Sequence, residues 1–156
     1  MKSDSILKHV GKAFLLALGA YVLFFSCDSQ LRHRQGPWEI TFIASTNGSP
    51  ALVVNQPSYQ ITNVTIILQG EKATNGGTLR FDAPRKPLPF GRMRFEDLTY
   101  LPGGVVFDLF GHEIELLPRA MFIDLKELPW NTPGPIVLDA SMKVPGLKDR
   151  DRKGRR

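Results

Sequence analysis

From Pro37 onward apolar residues recur with a period of two, and Gly, Pro or Asn interrupts them every few residues. A pleated strand satisfies that pattern and an amphipathic helix does not. Trp38, Ile40 and Phe42 alternate with Glu39 and Thr41 before the turn sequence Asn47-Gly48-Ser49. Residues 51–54, 59–68, 78–81, 92–101, 105–109, 114–117, 121–125 and 136–139 have the same character, which makes about nine strand candidates. The glycines of Asn75-Gly76-Gly77 predict a hairpin across residues 62–82. Residues 83–91 hold three prolines, so this segment reads as a loop or edge cover; its composition also matches a polyproline-type ligand.

Many short strands between turn signals in roughly 110 residues predict an all-β fold: a single antiparallel β-sandwich of the immunoglobulin-like or jelly-roll kind. A small β-barrel is the alternative. No repeat that would indicate a solenoid or propeller is visible. The domain organisation is a signal peptide or anchor over 1–27, a linker over 28–36, the sandwich over 37–142, and a basic tail expected to be disordered over 143–156.

The first 27 residues differ in kind. Lys2, Lys8 and Lys12 precede an uncharged run over residues 13–26, which ends at the only cysteine, Cys27. A basic head before a short apolar core is what export machinery reads, so the body is expected outside the cytoplasm. The run of 14 residues is short for a membrane core that needs about 20. Beginning the helix at Ser5 recruits Ile6, Leu7 and Val10, while Lys8 and Lys12 reach back to headgroups, and residues 5–27 then serve as an uncleaved anchor. No small residues at the spacing favoured by signal peptidase precede Cys27, which disfavours release as a secreted protein. Packing of this segment as a core helix has no second helical pattern to pack on.

The stretch Leu23-Phe24-Phe25-Ser26-Cys27 resembles the lipobox of bacterial lipoproteins, in which a cysteine after a small residue is acylated and becomes the new N-terminus. It departs from the common pattern at Phe24 and Phe25. The resemblance implies lipidation at Cys27, and Asp28 resembles the signal that retains some lipoproteins at the inner membrane.

Charge excludes one class of partner. The formal net charge is +5, yet residues 35–142 carry eight Lys and Arg against eleven Asp and Glu. The excess lies in the tail, where seven basic residues from Lys143 to Arg156 face two acidic ones. The body has no basic face for nucleic acid. The tail reads as a solvated end, or as an adhesive for anionic headgroups or an acidic partner.

The densest polar group is VVFDLFGHEIELLPR. A two-residue loop Gly111-His112 predicts Asp108 opposite Glu115 and Phe107 opposite Leu116, with Phe107, Leu109, Ile114 and Leu116 buried and Asp108, Glu113 and Glu115 exposed. Like charges directly opposed need a cation, which Arg92, Arg94 or Lys126 can provide. The same carboxylates are the candidates for a hydrolase or a Ca²⁺ site, although Ca²⁺ wants six or more oxygens. No cofactor or metal is expected. His112 is the only histidine of the body, so a Ser-His-Asp triad would have to be built on it. Asn47-Gly48-Ser49 and Asn63-Val64-Thr65 match the glycosylation acceptor pattern.

Among aromatics, Trp38 reads as core. Trp130, between Pro129 and Asn131, and Tyr100 read as exposed residues able to stack on a sugar. Three functions follow as expectations: a non-catalytic, membrane-tethered protein that binds another envelope protein or has a structural role there, a carbohydrate-binding module using Trp130 and Tyr100, and a hydrolase using Asp108, Glu113 and Glu115.

Overall fold

The computed structural model describes residues 4–45, 48–139, 141 and 143, and the chain divides into two compact units, residues 1–34 and 35–156. The tail beyond Lys143 lies outside the described residues, as does Asn47.

The first unit is one helix, α1 (Asp4–His33). It continues past Cys27 through the stretch read as a linker, because Asp28 pairs with Arg32 one turn on (2.7 Å) and the His33 ring meets the Ser29 carbonyl at 2.9 Å. Gly36-Pro37 then stops it. Its described side chains from Ile6 to Cys27 are exposed on every side of the helix. The 28 residues from Ile6 to His33 form a helix long and apolar enough to cross a bilayer, about 42 Å at 1.5 Å per residue. This N-terminal helix is compatible with a membrane segment or a signal sequence.

The second unit is a sandwich of two five-stranded sheets. Its strands are β1 (Glu39–Ile43), β2 (Ala51–Gln56), β3 (Ile61–Leu68), β4 (Gly77–Arg80), β5 (Arg92–Asp97), β6 (Gly104–Leu109), β7 (His112–Leu116), β8 (Met121–Ile123), β9 (Lys126–Leu128) and β10 (Ile136–Leu138). One sheet has the order β10-β3-β2-β1-β4, and the other runs β5-β6-β7-β8-β9 in sequence order. Neither closes into a barrel.

The period of two places Trp38, Ile40, Phe42, Leu52, Val54, Ile66 and Leu68 on the inner face of the first sheet. Val105, Phe107, Leu109, Ile114, Leu116 and Met121 meet them from the second. Phe107 is central: its ring lies 6.1 Å from Phe42 and 5.6 Å from Phe81, both edge-on. Such edge contacts add about 0.5–1.5 kcal/mol each beyond burial.

Four pairings differ from the expectation. The hairpin across 62–82 does not form, because β4 pairs with the far side of β1 (Thr41 opposite Thr78). The connection is long enough to cross, and Ala73 is buried on the way, bridging Ser45. The other side of β3 takes β10, and that pair is parallel. Residues 121–125 are not one strand, since Asp124 and Leu125 both adopt positive φ and turn the chain into β9.

The fourth correction is the β6–β7 register. The loop is Phe110-Gly111, with φ of +54° and +90°, so Asp108 opposes Glu113 and Glu115 opposes Val106. Two left-handed residues match the twist of the hairpin, and the Asp108 carboxylate accepts the Gly111 N–H at 3.2 Å. The slip is two residues, so the faces keep their parity and the expected apolar side is buried.

Both ends of the sandwich are pinned. Buried Gln56 donates from Nε2 to the carbonyls of Gly36 and Pro37, each at 2.9 Å, where the chain enters. Where it leaves, Gln69 N–H donates to the Leu138 carbonyl at 2.7 Å, and Lys143 pairs with Glu71 at 2.6 Å.

Candidate functional site

Three groupings bear on function. On the outer face of β5–β6–β7, Arg92 sits opposite Asp108 and donates to the same carboxylate oxygen through Nη2 (2.7 Å) and Nε (3.0 Å). Arg94, at the bulge of β5, reaches Glu113 at 2.7 Å. Two arginines thus neutralise the opposed pair Asp108 and Glu113. All three carboxylate residues are half-buried rather than exposed, because the guanidinium groups and the neighbouring strands cover them. Glu115 is on the same outer face, flanked across the ladder by Val106 and Phe122. Oxygens committed to guanidinium and backbone N–H groups are poorly placed for a hydrolytic nucleophile or a cation. Among the described residues no cluster of His, Cys, Asp and Glu could hold a metal.

His112 is inside the fold, not at an exposed turn. Its Nδ1 is 2.7 Å from Asp124 Oδ2, and the pair's side chains are 1% and 7% exposed. Asp124 Oδ1 also accepts the Glu113 N–H at 3.0 Å, and its own N–H donates to the Glu113 carbonyl at 2.9 Å. Among the described residues His112 bonds to Asp124 alone, so no serine completes a triad.

The third grouping lies along β3. β10 pairs only with Ile66–Leu68, which leaves the N-terminal half of β3 beside residues 130–135. That segment contains Pro133 and Pro135, which have no N–H, and Gly134 at φ +76°, so it cannot continue the ladder and stands off. The gap is a recess of about 610 Å³. Thr62, Asn63, Thr65, Trp130, Asn131 and Thr132 line it, with Val64, Ile67, Gly134 and Pro135. Among the described residues no ionisable side chain does.

Trp130 is half-buried rather than fully exposed. Its Nε1 donates to the Leu117 carbonyl at 3.0 Å, and its ring lies 5.3 Å from that of Trp38, tilted by 33°. Trp38 is held in turn by the Gly103 carbonyl at 3.1 Å. Tyr100 is exposed and is not among the residues that line the recess, so it does not join Trp130 there. The threonines and asparagines come from β3 and from the loop after Trp130; of the lining residues, the sequence marked only Trp130 for ligand binding. Cys27 is on α1, exposed and unpaired by any disulfide.

Comparison of the chain with protein-family models, with curated proteins and with solved structures finds no match.

Proposed function

We propose that the chain is a membrane-tethered, non-catalytic protein of the cell envelope, its sandwich held on the extracytoplasmic side where it binds another envelope protein. The observation that supports this is the coupling, in one chain, of an apolar helix exposed on every side to a β-sandwich. A helix of that kind leaves a large apolar surface in water and is stabilised in a bilayer. Lys2, Lys8 and Lys12 before the span, against Arg32 and Arg34 at its end, favour a cytoplasmic N-terminus.

The test is fractionation followed by protease treatment of intact and opened cells. Protein that resists alkaline extraction and whose sandwich is cut from outside supports the reading; soluble cytosolic protein overturns it. Cys27→Ala separates the two tethers, since it abolishes a lipid-dependent shift in mass but leaves an uncleaved span in place.

A glycan-binding module is the second reading, favoured by the uncharged recess at Trp130. The hydrolase reading has the ion pairs of Arg92 and Arg94 against it.

A further inference from the structure

We infer that the recess between β3 and residues 130–135 is a binding site for a neutral saccharide. This rests on the glycan-binding reading and goes further, by naming the residues and the charge of the ligand. A recess of about 610 Å³ falls within the roughly 300–1,000 Å³ common for small-ligand sites.

The lining determines the ligand's chemistry. An anion or cation entering it would lose hydration and meet no counter-charge, which selects against both. Sugar hydroxyls both donate and accept, and so do threonine hydroxyls and asparagine amides. The side chains of Thr62, Asn63 and Asn131 make no hydrogen bond to another described residue. Thr65 Oγ1 donates to the Asn63 carbonyl (3.2 Å) and Thr132 Oγ1 to the Pro129 carbonyl (2.6 Å), so these two present lone pairs as acceptors. Trp130 adds an apolar ring for the C–H face of a pyranose. Its orientation is set by Leu117 and Trp38 before any ligand arrives, which lowers the ordering cost of binding.

An extended peptide added to the edge of β3 is the competing occupant. It needs a run of unspent main-chain groups. At Asn63 both are already taken: the N–H by Asn55 Oδ1 at 2.7 Å and the carbonyl by Thr65. A saccharide does not need them.

The experiment uses the full chain, solubilised in a detergent without a sugar headgroup. It is titrated with neutral hexasaccharides of glucose, mannose and N-acetylglucosamine, with galacturonic acid hexasaccharide and a hexapeptide library as controls. Binding is read by calorimetry and by the emission of Trp130, since Trp38 is fully buried. Saturable binding of a neutral hexasaccharide is expected, with Kd raised about tenfold by Asn131→Ala or Thr62→Ala, equivalent to about 1.4 kcal/mol. Both substitutions are at exposed positions, so the fold survives them even where Trp130→Ala disturbs packing. Preference for the charged saccharide overturns the neutral site and leaves the glycan-binding reading standing. Absence of any saccharide binding overturns both, as does peptide binding in its place. Binding unchanged in both variants places the sugar elsewhere and overturns the assignment of this recess.

Discussion

His112 Nδ1 and Asp124 Oδ2 meet at 2.7 Å inside the second sheet, and through this contact the β8–β9 turn is locked onto the first residues of β7. Removing Asp124 leaves a buried imidazole and the Glu113 N–H without their acceptor. Asp124→Ala is expected to cost about 2–6 kcal/mol, the loss of two buried partners at about 1–3 each. His112→Ala costs less, because Asp124 still accepts from Glu113. Urea denaturation of both variants checks the order.

Gly103 carries two demands at once. Its φ is +70°, and a Cβ there would collide with the Asp97 carbonyl. The same residue's carbonyl holds Trp38. Gly103→Ala is expected to destabilise the fold by about 2–3 kcal/mol through strain at a left-handed position. Thermal melts should show the shift, and the emission of Trp38 should move to the red.

The two arginines of the outer face are unequal. The Arg94 and Glu113 side chains are 20% and 18% exposed, whereas that of Arg92 is 57% exposed. Arg94→Ala uncovers the opposed carboxylates in a partly dry setting and is expected to cost about 1–2 kcal/mol; Arg92→Ala, which removes a guanidinium already mostly in solvent, costs below about 1. Added salt should narrow the difference. Equal losses in both variants would refute the ranking.

Asp97 has its pKa held below the ordinary 3.8 by the Thr99 N–H and hydroxyl, and Asp82 likewise by its bond to Lys86. A carboxyl lowered on folding contributes stability above its unfolded pKa and loses it as pH falls through the folded value. Both groups are near the surface, so their share of the acid destabilisation below about pH 4 is small. Asp97→Asn should flatten the decline of stability with acid and leave the profile above pH 6 parallel to that of the unmutated chain.

The inner faces were legible because period-two alternation is a local property: Trp38, Ile40, Phe42 and the 105–116 hairpin are buried where their spacing puts them. Strand partners were not legible. Nothing near residues 77–80 states that β1 is the neighbour, and nothing near Ile136 that β3 will be met in parallel, because both choices are settled by which apolar faces must share one core. The hairpin loop was misplaced by one residue, and the register with it by two, since a phenylalanine with positive φ has no composition signal. Of the candidate site, Trp130 was visible as a loop tryptophan. Thr62, Asn63 and Thr65 were hidden inside an ordinary β-branched strand, and only the two prolines facing them turn that strand into a wall.

The parallel course of β10 has a mechanical consequence. β1 and β10 run in the same direction within one sheet, so the chain enters the sandwich at the Gln56 end and leaves it at the Glu71 end. A tension applied between the helix and Lys143 would therefore act lengthwise on both strands. Ladder hydrogen bonds lie across that direction, so they would be sheared together instead of unzipped in turn.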